Sequence, residues 1–270
     1  MMRRNNWLKL FLIGLVTYAA GFVVMILTLN SNLYPSVIIL GNFLIPVTYV
    51  SFFYERRLFS NVSMLNVALS FFYGGFLGTF AAALIEPFFI HRIDFYTAMI
   101  VGIIEELVKV LGVFVILKKS RHKLEIDGII LGAAAGMGFA AIESSGYAFT
   151  TFLSTKGSFS MLIYITIMRG IFSPLAHGTW TAILAGVLLR ERTGRNLKVN
   201  LYVLYAYILV IILHGAWDGL PYLLANFVPV QSAAFISYIF VGVTGVLVLR
   251  RLWKEAKLQA IERFKAQSVA

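Results

Sequence analysis

Apolar residues fall along this chain in long, nearly unbroken runs joined by short polar connections, without the alternation of a half-exposed strand. Runs of about twenty residues predict helices that cross a hydrocarbon layer roughly 30 Å thick. Eight follow in order: Trp7 to Leu29, Tyr34 to Tyr54, Val62 to Ile85, Phe95 to Leu117, Asp127 to Leu153, Met161 to Leu189, Leu201 to Asn226 and Gln231 to Leu252. The expected fold class is therefore all-α, a polytopic membrane helix bundle of about eight transmembrane helices. Of 270 residues 60% are hydrophobic and 13% charged, and the mean hydropathy is +0.85. That balance leaves no stretch for an independent soluble domain. Residues 1–270 are expected to form a single integral membrane domain, with accessory spans in 1–94, a four-helix core in 95–226, and the last span and a basic tail in 227–270.

The formal net charge of +11 raises nucleic acid as a partner, but the cations gather at the ends of apolar runs and do not alternate with aromatic platforms. Membrane topology explains them, and no nucleic acid is expected. Because each crossing reverses the side, Lys and Arg can be summed over alternate connections. Nineteen fall on one side, including Arg3, Arg4, Arg56, Arg57, Arg121, Lys123 and Arg195, whereas Arg92 and Lys156 alone fall on the other. Both termini are thus expected in the cytoplasm. The first span is longer than a signal-peptide core and reads as an uncleaved anchor. Basic residues between Lys254 and Lys265 alternate with Leu258, Ile261 and Phe264, which suits a short helix on an anionic leaflet or a solvated helical end. The absence of cysteine excludes disulfides, thiolate metal ligands and a cysteine nucleophile.

Eight ionisable residues interrupt the spans: Glu105, Glu106, Lys109, Glu143, Arg169, His177, His214 and Asp218. A charge at the centre of a spanning helix costs roughly 2.5–3.5 kcal/mol on insertion scales, so these groups must meet each other, water or a metal. In the fourth span Lys109 lies four residues from Glu105 and three from Glu106, within reach of both carboxylates. A cation between them offsets the repulsion that resists double ionisation in low dielectric, and the set reads either as a base that exchanges a proton or as a buried ion pair. The fifth span carries Gly128, Gly132, Gly136, Ala140 and Ser144 at four-residue spacing, a ridge on which another helix can pack closely. Glu143 lies near that face and points into the bundle. In the sixth span Pro174 is expected to kink the helix beside His177, while Arg169 snorkels or pairs with a carboxylate. In the seventh, His214 and Asp218 share a face, as two metal ligands or as an aspartate orienting its histidine. Glu86, beside Pro87, reads as interfacial. No Gly-x-Ser-x-Gly turn and no His-Glu-x-x-His helix accompanies these residues.

The segments EELVK at Glu105 to Lys109, FAAIE at Phe139 to Glu143, SPLAHGTWTAILAG around His177 and HGAWD at His214 to Asp218 resemble, in that order, the four motifs of the PrsW family of intramembrane proteases. That family shares a superfamily with the CAAX prenyl proteases and bacteriocin-processing or self-immunity proteins. Glu143 and Asp218 fit PrsW over the CAAX branch, where histidine and asparagine are expected. The resemblance spans residues 95 to 226. It implies proteolysis of a membrane-protein substrate, with anti-sigma factors as the best-known class, in a bacterial cell membrane.

In a metal scheme implied by the resemblance, Glu143, His177 and His214 hold a divalent ion, foremost zinc, and Asp218 orients His214. Glu105 or Glu106, served by Lys109, takes the proton of water. In a metal-free scheme Glu105 activates water, Glu143 or His177 assists, and His214 with Asp218 stabilises the oxyanion. Two other readings stand beside proteolysis. A proton-coupled transporter also needs intramembrane acids and histidines, although the chain shows no repeated half. A non-catalytic immunity or scaffold protein predicts that Glu105→Ala or Glu106→Ala leaves function intact.

Overall fold

The computed structural model describes residues 5–57, 60–119, 124–193 and 196–269, so that Arg3, Arg4, Arg121, Lys123 and Arg195 of the basic side lie outside the described residues. Within them the chain is all α. The helices are α1 (Asn6–Thr28), α2 (Leu33–Glu55), α3 (Met64–Phe72), α4 (Gly78–Ile85), α5 (Phe95–Lys119), α6 (Glu125–Ser154), α7 (Phe159–Phe172), α8 (His177–Arg190), α9 (Leu201–Leu224) and α10 (Val230–Val269). A π-helical turn over Tyr73–Leu77 joins α3 to α4, and a 3-10 turn over Ser173–Leu175 separates α7 from α8, so each pair fills one predicted span. Among the described residues seven helical stretches, with α3–α4 and α7–α8 each taken as one, are long and apolar enough to cross a membrane. The eighth, α5, has 25 residues but carries Glu105, Glu106 and Lys109. Ile13, Val16 and Leu27 of α1 are 66%, 68% and 78% exposed, a surface that only lipid would cover without cost. The protein is an integral, multi-pass membrane protein.

Three seams of close helix approach set the register of the interior. Helix α6, buried over nearly all its length, runs antiparallel to α8. A Cβ at Gly128, Gly132 or Gly136 would lie 2.3, 2.3 and 2.0 Å from the carbonyl oxygens of Ala185, Thr181 and His177. The small-residue ridge expected from the sequence is thus the surface against which α8 is laid. A second seam forms where Gly74 meets the backbone of Ala135 and Gly75 that of Gly138, each too close for a side chain. This contact coincides with the π turn, whose extra residue per turn lets the third span follow α6. Ser70 Oγ donates to the Leu131 carbonyl at 2.7 Å and pins it. The third seam pairs α5 with α9, where Gly102 faces the Ile211 carbonyl, Gly215 faces Met99 and Gly219 faces Phe95.

One local expectation is corrected and one left open is decided. Pro174 does not kink a continuous helix but ends one: α7 stops at Phe172 and α8 restarts at His177. Proline lacks the N–H that would bond back to the preceding turn, and past the break Thr179 Oγ1 donates to the Pro174 carbonyl at 2.7 Å. Of the two readings of the basic tail, the helical end is the one observed. It continues α10 to a total of 40 residues, about 60 Å at 1.5 Å per residue. Leu249, Leu252, Ala256 and Ala260 recur at three- and four-residue steps and are buried, and Gln259 Oε1 accepts from the Glu125 backbone N–H at 3.0 Å. This apolar stripe docks the helix on the bundle.

Helix α5, the carrier of three charged residues, is started by Asp94. Its Oδ1 accepts from the backbone N–H groups of Thr97 at 2.9 Å and Tyr96 at 3.0 Å, while Thr97 Oγ1 accepts from Asp94 N at 2.8 Å. These bonds, led by the Thr97 amide, hold the Asp94 carboxyl below the usual carboxylate range. The folded-state pKa is depressed, so the contribution is complete above the unfolded pKa and fades as pH falls through the folded one. Asp94→Ala is expected to speed amide exchange over 95–98 roughly fivefold, read by hydrogen exchange, with the rest of α5 unchanged.

Candidate active site

The three seams bring α5, α6, α8 and α9 to one buried point in the bundle. From α5 come Glu105, Glu106 and Lys109, of which the last two are wholly buried and Glu105 is 6% exposed. Lys109 Nζ donates to Glu105 Oε2 at 2.8 Å and to Glu106 Oε1 at 2.9 Å, so the spacing expected to serve both carboxylates does so. Nζ also lies 2.9 Å from His177 Nδ1 and 4.0 Å above the Phe139 ring, a cation–π contact from α6. The α8 restart at Pro174 places His177 as the first residue of its helix, pointing at α5.

The two glutamates are not equivalent. Both oxygens of Glu106 are engaged: Oε1 by Lys109 and by His214 Nδ1 at 2.9 Å, Oε2 by Thr181 Oγ1 at 3.1 Å. Glu105 instead turns Oε2 toward the two imidazoles, 3.6 Å from His214 Nε2 and 4.0 Å from His177 Nδ1. Asp218, one turn along α9, places Oδ2 3.3 Å from His214 Nε2 and has the more exposed side chain at 35%. Trp180 fills the space behind the imidazoles, its ring centroid 4.9 Å from that of His214 and 5.7 Å from that of His177.

Glu143 and Arg169 form the other flank. Arg169 donates to Glu143 Oε2 at 2.5 Å and to Ser144 Oγ at 2.7 Å, and its guanidinium lies over the Tyr147 ring at 4.4 Å. The same Glu143 oxygen is 3.2 Å from His177 Nε2. All seven residues expected at the site thus meet, and the group of donor atoms that lie closest together differs from Glu143, His177 and His214 by one carboxylate. Among the described residues the group able to present three ligand atoms within 4.8 Å of one another is Glu105, His177 and His214. Glu143 lies on the far side of His177, drawn there by Arg169.

One carboxylate and two imidazoles, without thiolate, are donors that suit zinc and other first-row divalent ions. Tetrahedral bonds of about 2.0–2.1 Å put ligand atoms about 3.3 Å apart, so the 3.6 and 4.0 Å from Glu105 Oε2 to the two imidazoles, in a group whose ligand atoms all lie within 4.8 Å of one another, ask the donors to draw together around the ion. The residues fit such an ion. Glu106 on His214 Nδ1 and Glu143 on His177 Nε2 are the carboxylate–imidazole contacts that orient histidine ligands.

One contributor was hidden in the sequence. Thr181 sits one turn beyond His177, a spacing that marks a shared face but not its bond to Glu106. Glu86, read as interfacial, opens the 3-10 turn Glu86–Phe88 that closes the third span, and its Oε1 is buried without a hydrogen-bond partner.

Residues 63–248 match the family model described as PrsW family intramembrane metalloprotease. Protease PrsW of Clostridioides difficile (strain 630) is 30% identical over 122 residues, 44% of this chain and 49% of that protein. The aligned stretch thus spans about half the length of the curated relative. No solved structure is significantly similar. The matched region runs from the start of α3 into α10 and contains every residue of the cluster, and on it the chain belongs to the PrsW family.

Proposed function

We propose that this protein is an intramembrane endopeptidase, that it hydrolyses a peptide bond of a single-span membrane protein of the anti-sigma-factor class, and that zinc is the ion its cluster accepts. The observation that carries this reading is the meeting of Glu105, His177 and His214 within 4.8 Å at the buried crossing of helices in a lipid-embedded bundle. Transport or scaffolding would not require two imidazoles, each backed by its own carboxylate, around a third carboxylate.

Held by Glu105, His177 and His214, a divalent ion would supply Lewis-acid polarisation of water or of the scissile carbonyl. The chain's own residues account for the remaining steps. Glu105 offers Oε2 to the donor group, which leaves Oε1 to take a proton from water as the water oxygen bonds to the carbonyl carbon. The same carboxyl then returns that proton to the amide nitrogen as the C–N bond breaks, giving a new carboxylate and a new amine. Glu106 does not move protons in this scheme. With both oxygens committed, it fixes the His214 ring and balances Lys109. Glu143, itself held by Arg169, fixes the His177 ring at Nε2. Asp218 places Oδ2 beside His214 Nε2, the nitrogen that faces Glu105, and so offers a further carboxylate at the exposed edge of the cluster, the side from which water and an unwound substrate segment approach.

The test is cleavage in liposomes holding the purified protein and a single-span substrate peptide. Cleavage is expected, with at least a tenfold drop, roughly, on adding a membrane-permeant chelator and recovery on adding zinc. Cleavage indifferent to the chelator would remove the ion from the scheme and keep the peptidase, whereas no cleavage of any anti-sigma-factor span with zinc present would count against the whole reading.

A further inference from the structure

Lysine carries three N–H donors and no acceptor, and Lys109 directs its ammonium at three acceptors: Glu105 Oε2, Glu106 Oε1 and His177 Nδ1, at 2.8, 2.9 and 2.9 Å. Because lysine only donates, Nδ1 of His177 must be the acceptor. The proton of the neutral ring then lies on Nε2, facing Glu143 Oε2 at 3.2 Å. Neither nitrogen of His177 has a lone pair to spare in this arrangement. Glu105 Oε2, the oxygen nearest both imidazoles, is likewise the one bonded to the ammonium. Two of the three residues able to hold a divalent ion are therefore occupied by a cation that the chain itself supplies.

We propose that the Lys109 ammonium is the resident cation of this cluster and that a divalent ion enters only by displacing it from Glu105 and His177. This rests on the proposed ion-binding role of Glu105, His177 and His214. A dication beside an ammonium in low dielectric is strongly repelled, so the two exclude each other. In the ammonium-held state the carboxylates of α5 keep a counter-charge. The bundle can therefore assemble before the ion arrives, in contrast to proteins whose metal site and fold form together. Displacement leaves Lys109 bonded to Glu106, which has no place in the donor group. Lys109 is thus a positioning residue that sets how readily the site takes its ion.

Equilibrium dialysis of the full-length protein in detergent against zinc, with metal analysis, tests this directly. Lys109→Met is expected to bind zinc about tenfold tighter than wild type or better, and His214→Ala to lose that binding, which assigns it to the cluster. Should Lys109→Met fail to fold, the wild type still decides: with 15N-labelled lysine, a wholly buried ammonium gives a protected resonance, expected to vanish or move as zinc saturates. Equal or weaker zinc binding by a folded Lys109→Met, an ammonium resonance unchanged at saturation, or no zinc binding by any variant each overturns the proposal. Peptide cleavage is not read in these measurements. Displacement of Lys109 by zinc in a protein that cleaves nothing would leave the inference standing while the peptidase reading fell, and cleavage by a protein whose ammonium resonance ignores saturating zinc would do the reverse.

Discussion

Glu105→Gln is expected to slow peptide cleavage by about 10²–10⁴-fold, the range for losing a positioned acid–base group, while the helix bundle stays folded. Glutamine keeps the volume and an oxygen for Lys109, and Lys109 keeps its charged partner Glu106 at 2.9 Å. What disappears is the basicity that takes the proton of water and, with it, the anionic oxygen offered to the ion beside His177 and His214. Glu106→Gln should behave in the opposite sense. Glu106 is fully buried and answers Lys109, His214 and Thr181 together, and breaking such a pair costs about 3–5 kcal/mol. Its loss should therefore show in thermal unfolding and yield as much as in rate. Parallel cleavage assays and melts separate the two variants. If Glu106→Gln stayed fully stable and lost only activity, while Glu105→Gln kept its rate, the roles assigned to the adjacent glutamates would be reversed.

Gly136→Ala is the second large effect, and it acts through the backbone. A Cβ there would sit 2.0 Å from the His177 carbonyl oxygen, 2.7 Å from its carbon and 2.9 Å from Thr181 Oγ1. The first two are backbone atoms that cannot rotate away, so α8 must shift, carrying His177 and the Thr181 bond to Glu106 with it. Overpacking of this kind costs about 1–3 kcal/mol, and a displacement near 1 Å at a reacting group costs about 10²-fold in rate. Gly146 lies on the same helix with nothing within 4 Å of its Cβ position. Gly146→Ala should be silent in both rate and melting temperature, so comparing the two substitutions measures the seam and not a general intolerance of α6 to alanine.

The difference between these glycines shows where sequence reading reaches its limit. The crossings were legible because a lipid-facing helix must be apolar for its whole length, and α1, α2, α5, α6 and α9 begin and end within two residues of the runs expected. The triplet Glu105, Glu106 and Lys109 was legible because partners three and four apart on one helix are fixed by helical geometry alone. Partnerships between helices were not, since they depend on register. Whether Glu105 or Glu143 stands nearest both imidazoles follows from how the glycine seams slide α8 along α6 and α9 along α5, and from Arg169 drawing Glu143 aside. The π turn at Tyr73–Leu77 has the same origin: Gly74 and Gly75 admit the α6 backbone, and the turn adapts to that contact. Pro174 was visible, but kink and break differ in the backbone that follows: Ala176, at φ −103° and ψ −106°, leaves the helical region before α8 starts.

Isotope incorporation is the most direct measurement of whether this cluster performs hydrolysis. A single-span anti-sigma-factor peptide is incubated with the reconstituted protein in ¹⁸O-labelled water, and the products are weighed by mass spectrometry. The expected result is a new carboxyl terminus carrying solvent ¹⁸O, formed by wild type and suppressed about 10²–10⁴-fold in Glu105→Gln. A product formed equally well by Glu105→Gln, or one without solvent oxygen, would contradict the assignment of Glu105 as the residue that activates water.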